Sequence, residues 1–157
     1  MDTDIIIVGG GPAGLSMARA LADSGLRITL LERQSQEALA EPAYDGREIA
    51  LTQRSIRALR DLGAWDRIAD EHKSPLRSAK VLNGGSPLAL TFDTGERPEA
   101  ELGMLVPNSA IRRALFGSVR GQNNLALLSG VSVSSAKTSS AGAEVTLADG
   151  RTLSARL

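Results

Sequence analysis

Three glycines and one carboxylate carry the chemistry that can be read from this chain. Gly9, Gly11 and Gly14 fall in Gly9-Gly10-Gly11-Pro12-Ala13-Gly14, and Glu32 closes the next apolar run. This G-x-G-x-x-G spacing suits a dinucleotide: Gly9 permits a tight turn, Gly11 lets backbone approach a pyrophosphate, and Gly14 lets a helix lie close on a sheet. A helix opening at Pro12 and Ala13 offers free N–H groups and a positive dipole end to phosphate charge, and Pro12 suits the first turn because its missing N–H is not needed there. Glu32 is placed to accept hydrogen bonds from a ribose diol.

The elements that must position these groups are legible around them. Asp4-Ile5-Ile6-Ile7-Val8 reads as a buried strand, the helix reaches to about Ser24, and Ile28-Thr29-Leu30-Leu31 reads as a second strand. The stretch from Arg33 to Pro42 reads as a loop. Asp45-Gly46 marks a turn, and Thr52 an N-cap for a helix carrying Ile56, Leu59 and Leu62 and closed by Gly63. Trp65 to His72 reads as a further short helix.

After Arg77 the pattern changes to strands. Ala79–Leu82 and Leu88–Phe92 form an expected hairpin around Asn83-Gly84-Gly85, and 96–101 a charged loop. A helix starts at Pro107-Asn108-Ser109, Leu125–Leu128 is a buried strand, and Val131–Ala136, Glu144–Leu147 and Thr152–Leu157 read as a meander. Asp149-Gly150 is its hairpin turn and not a site. The division expected is 1–76 for a first nucleotide-binding part, 77–106 for the start of an inserted sheet, and 107–157 for a return to the nucleotide-binding part.

Composition excludes several functions. Eighteen basic residues balance eighteen acidic ones in 157, so no charge surplus favours nucleic acid or an anionic membrane. The absence of cysteine removes thiolate metal sites and cysteine nucleophiles. The single histidine, His72, sits between Glu71 and Lys73 and reads as a solvated residue. No catalytic set and no metal cluster is expected, and a cytoplasmic location is the default.

Beyond the fingerprint, the chain resembles the N-terminal part of FAD-dependent aromatic hydroxylases of the para-hydroxybenzoate hydroxylase type, nearest to the ubiquinone-biosynthesis hydroxylases. Asp4–Arg33, Asp45-Gly46-Arg47-Glu48-Ile49-Ala50-Leu51, and Leu102–Asn108 with Ile111-Arg112-Arg113-Ala114-Leu115 carry the likeness. It implies an α/β architecture: a Rossmann-like FAD-binding fold of the glutathione-reductase type with an inserted β-rich substrate region, truncated at the C-terminus.

By the resemblance, FAD lies with its ADP half on Gly9–Gly14 and Glu32, Arg33 is near the adenosine, and Arg47 reaches the cofactor. Arg112 contacts the pyrophosphate or ribityl region, and the backbone of Val133 lies by the adenine. By residue type alone, Arg47 and Arg112 read more readily as ordinary surface charges than as site residues, and Val133 as core.

The reaction implied is hydroxylation of an aromatic ring, that of a prenylated quinone precursor, through a flavin C4a-hydroperoxide formed from O₂, with NAD(P)H as electron donor. The piece alone is expected to be inactive, and peripheral membrane or multi-enzyme association is compatible with a lipid-quinone substrate. Rival readings are a non-catalytic dinucleotide-binding fragment, another flavin-dependent oxidoreductase of the same fold, and an NAD-dependent dehydrogenase, for which no catalytic base is visible.

Overall fold

The computed structural model describes residues 3–82, 84–85, 89–93 and 101–157. In chain order the elements are β1 (Ile5–Val8), α1 (Pro12–Ala20), β2 (Ile28–Glu32), α2 (Gln36–Ala40), β3 (Glu48–Thr52), α3 (Gln53–Asp61), β4 (Ser74–Leu76), β5 (Ser78–Leu82), β6 (Ala89–Asp93), β7 (Gly103–Pro107), α4 (Asn108–Val119), β8 (Leu125–Ser129), β9 (Val133–Ser139), β10 (Gly142–Leu147) and β11 (Thr152–Ala155). They make two compact units. The first runs to Ala43 and resumes at Arg112–Leu157; the second is Tyr44–Ile111.

In the first unit, β1, β2 and β8 form a parallel sheet with β2 in the middle. Every residue of β2 is buried, as expected of a central parallel strand. Leu15 and Ala18 of α1 are fully covered. This helix stops at Ala20, short of Ser24, because Ala22 N–H turns to Arg19 O and Ser24 N–H to Leu21 O, both i to i−3 bonds that tighten the chain out of the helix.

The stretch expected to be a loop after Arg33 contains α2. Ser35 caps it by accepting from Ala38 N–H at 3.3 Å, and Leu39 anchors it with 2 % exposure. Polar composition hid that single apolar anchor.

The antiparallel meander β9–β10–β11 closes the unit, with Val145 and Leu147 packed against Leu31 of β2 and flanked by Leu128, Val131, Val133 and Leu153. Its last turn is the expected Asp149-Gly150, with Gly150 at φ +88°.

In the second unit, β3, β7 and β4 form an antiparallel sheet in the order β3-β7-β4. Thr52 caps α3, accepting from Ser55 N–H at 3.2 Å, and Gly63 follows at φ +67°. The expected helix from Trp65 to His72 is instead two 3₁₀ turns, Trp65–Arg67 and Asp70–His72. The extended backbone of Ile68 and Ala69 separates them and breaks any longer ladder. β3 and β4 were not expected. Each is short and half-exposed, and each owes its existence to β7, which lies far along the chain.

β5 and β6 pair as the expected hairpin, with Val81 opposite Leu90 and Ala79 opposite Phe92. Asn83, Leu88 and the charged stretch 96–100 lie outside the described residues. Val81, Leu90 and Phe92 are exposed.

Gly103 is a packing glycine: a Cβ there would sit 1.9 Å from Leu51 O on the neighbouring strand. Gly103→Ala is therefore expected to destabilise the second unit by about 2 kcal/mol, since backbone must part to admit the methyl. Urea unfolding checks this, and an unchanged midpoint would refute it.

Candidate cofactor-binding site

The site is built from the turn that follows β1. Gly9 adopts φ +104°, a conformation that side chains resist, and its N–H closes the turn on Leu31 O at 2.8 Å. The chain then enters α1 with Gly11 at the N-cap position and Pro12 in the first turn. No side chain caps this end, so its first N–H groups remain available.

The three fingerprint glycines prove to differ in purpose. A Cβ at Gly14 would lie 1.9 Å from Gly9 O and 3.2 Å from Ile7 Cγ2, so this glycine lets the helix press onto the turn. A Cβ at Gly11 would meet nothing within 4 Å, so this glycine keeps open space beside the helix start.

Glu32 ends β2 with 9 % exposure. Both carboxylate oxygens accept from backbone: Oε2 from Gly10 N–H at 2.6 Å and Oε1 from Gln34 N–H at 2.7 Å. These bonds fix its orientation, while each oxygen keeps a further lone pair.

Beside it runs an open groove of about 410 Å³ lined by Val8, Gly9, Leu31, Glu32, Arg33 and Val131–Val133. Gly9, Glu32, Arg33 and Val133 thus share one groove. Val133 also packs on the core, so its two readings are compatible. A buried carboxylate beside such a groove can accept a sugar diol, and the start of α1 can receive a diphosphate.

Arg112 joins this arrangement from α4. Its Nη2 donates to Oε1 of Gln34, two residues beyond Glu32. Its neighbour Arg113 is ion-paired with Glu41 at 2.9 Å. Gln34 was not among the expected residues, because nothing in its type or neighbours signals a contact with a helix far along the sequence.

Arg47 belongs to the second unit and has its own network there. Its Nε donates to Asp45 Oδ2 at 2.9 Å, and Asn108 Nδ2 donates to the same oxygen at 2.8 Å. Asn108 N–H also donates to Arg47 O at 2.9 Å, and Asn108 is 5 % exposed. Gly46, at φ +73°, folds the backbone so that Asp45 and Arg47 meet. Asp45 and Asn108 were likewise not expected as site residues.

Hydrogen bonds from Arg47 first, and from Asn108 second, hold the Asp45 carboxyl well below the usual carboxylate range. A depressed folded value means that the pairing is fully present above the ordinary carboxylate range and is lost only as pH falls through the folded value. Asn108→Ala is expected to move Asp45 back toward the ordinary value. Carboxyl-carbon NMR titration reads this directly, and an unmoved titration would contradict the network.

Among the described residues, no group of three or more His, Cys, Asp or Glu could hold a metal ion. No helix among them is long and apolar enough to cross a membrane.

Comparison with known proteins identifies relatives of this chain. The chain is 45 % identical over 161 residues to ubiquinone hydroxylase UbiM of Neisseria meningitidis serogroup C, an alignment covering all of this chain and 35 % of that protein. It is 33 % identical over 154 residues to ubiquinone hydroxylase UbiL of Rhodospirillum rubrum, covering 98 % of this chain and again 35 % of the relative. The chain therefore spans about a third of the length of these relatives.

Among solved structures, p-nitrophenol 4-monooxygenase PnpA of Pseudomonas putida superposes with a TM-score of 0.71 at 20 % identity, over 98 % of this chain and 39 % of that one. At that identity the likeness shows a shared fold. The family model described as the FAD binding domain matches residues 2–154, and the chain belongs to that family.

Proposed function

We propose that the groove beside Glu32 holds the ADP half of FAD, and that the full-length gene product is an FAD-dependent monooxygenase hydroxylating the aromatic ring of a ubiquinone precursor. The observation that carries this reading is the Glu32 carboxylate. It is buried, oriented by two backbone N–H groups, and sits on a groove next to an uncapped helix start. Membership of the FAD binding domain family and similarity to the ubiquinone hydroxylases UbiM and UbiL support the assignment to this chemistry.

Each residue then has a defined task. Glu32 accepts from the adenosine ribose hydroxyls, and Gly9, Gly11, Pro12, Ala13 and Gly14 shape the helix start that receives the pyrophosphate. Arg33 lies along the adenosine and the backbone of Val133 beside the adenine. Arg112 adds positive charge toward the pyrophosphate or ribityl region. Arg47, held by Asp45, is read as a further cofactor contact.

FAD held there would supply the redox chemistry, namely two-electron transfer from NAD(P)H and activation of O₂. Overall, a ring C–H, O₂, NAD(P)H and a proton give a ring C–OH, water and NAD(P)⁺. The protein's part is to bind, orient and exclude water. The same reading implies a cytoplasmic protein, compatible with contact at a membrane surface where a lipid quinone precursor resides.

The test is turnover of the full-length gene product with NAD(P)H and a ubiquinone precursor under isotopically labelled O₂. The expected product gains one labelled oxygen on its ring. Oxidation of NAD(P)H with release of hydrogen peroxide alone, whatever the ring offered, would overturn the reading.

A further inference from the structure

Gln34 is the residue through which the groove and Arg112 meet. Its N–H donates to Glu32 Oε1 at 2.7 Å, its carbonyl accepts from Gly130 N–H at 3.0 Å, and its side-chain Oε1 accepts from Arg112 Nη2. Gly130 leads into Val131, whose N–H donates to Glu32 O at 3.0 Å. The backbone of Gln34 is therefore tied to Glu32 of the groove and to Gly130 just before Val131, and its side chain to Arg112.

The chemical type of this holder sets Arg112 apart. Arg113 is held by the carboxylate of Glu41 and Arg47 by that of Asp45, so each of those charges is locally neutralised. Among the described residues Arg112 pairs with no carboxylate; a neutral amide oxygen holds it. An amide acceptor fixes a guanidinium, whose long side chain otherwise loses much freedom on binding, without cancelling its charge.

We propose that Gln34 is a positioning residue that presents Arg112 as a pre-oriented, uncompensated positive charge to the diphosphate of the bound dinucleotide. This rests on the reading of Arg112 as a cofactor contact. Gln34 itself need not touch the cofactor; it acts through Arg112, and any residue except proline at this position would keep the backbone bond to Glu32.

The experiment is FAD titration of the full-length apoprotein at several salt concentrations, with Gln34→Ala, Gln34→Glu, Arg112→Ala and the two double variants, and with thermal unfolding as a check on folding. Loss of one aligned hydrogen bond should weaken FAD binding about fivefold in Gln34→Ala, with the salt dependence of the parent retained. Gln34→Glu keeps an acceptor but neutralises the guanidinium, so it should weaken binding and flatten the salt dependence. In the Arg112→Ala background Gln34→Ala should have no further effect, whereas Gln34→Glu should weaken binding further, because its carboxylate then faces the diphosphate unpaired.

A purely structural role for Gln34 would lower stability and affinity whether or not Arg112 is present. That outcome, or Gln34→Ala binding like the parent, overturns the proposal. Arg112→Ala binding FAD like the parent would instead remove the cofactor role of Arg112 itself, and the proposal with it.

Discussion

Gly14→Val is expected to abolish FAD binding by breaking the fold of the first unit, whereas Gly11→Ala is expected to weaken binding and leave the fold intact. The two glycines stand three residues apart in one motif, yet their surroundings are opposite. At Gly14 even the first added carbon would lie 1.9 Å from Gly9 O, a backbone atom that no rotamer change can move. The turn must open or α1 must lift from the sheet, and about 3 kcal/mol or more is expected, the upper end for overpacking.

At Gly11 the backbone has φ −77° and the added methyl meets nothing within 4 Å. The cost there falls on the ligand, whose diphosphate would lose its closest approach to the helix start. Urea unfolding and FAD titration of both variants separate the two effects. Equal stability losses in the two would contradict the assignment.

Glu32→Ala is expected to have the second-largest effect, on both stability and affinity. It leaves the N–H groups of Gly10 and Gln34 without their acceptors, and an unmet buried donor costs about 1–3 kcal/mol. Water entering the open groove offsets part of this, so a net loss of about 2 kcal/mol is expected. FAD affinity should fall further than this, because charge-assisted bonds to the ribose hydroxyls, each worth about 1.5–3 kcal/mol, vanish as well.

Glu32→Gln is a sharper probe. One of its two terminal atoms becomes an NH₂ group and must face an N–H donor, so the isosteric change does not restore the turn. Thermal unfolding and flavin fluorescence titration measure both consequences. A Glu32→Gln variant indistinguishable from the parent in both would sink the role assigned to this carboxylate.

The core of the candidate site was legible because it is local. Gly9 to Gly14 and Glu32 lie on one strand–turn–helix–strand stretch, where residue type reports backbone need. The same holds for Thr52 as an N-cap and Gly150 as a turn residue, with its positive φ of +88°.

What escaped the sequence depends on partners far along the chain. Gln34 meets Arg112 across 78 positions, and Asn108 meets Asp45 across 63. Neither polar side chain carries a sign of which distant group it will find. β3 offered only Ile49 and Leu51 as an alternating pair, and its strand character comes from pairing with β7. The extended Ile68 and Ala69 split an expected helix for a related reason: burial of Trp65 and Ile68 outweighed helical spacing.

The central claim is that the Glu32 groove holds the ADP half of FAD, and a crystal structure of the full-length gene product with FAD bound tests it most directly. The account predicts the adenosine ribose hydroxyls on the Glu32 carboxylate, the adenine beside Val133, and the pyrophosphate at the start of α1 next to Gly11. A ribose placed away from Glu32, or a pyrophosphate bound elsewhere than the helix start, would contradict it.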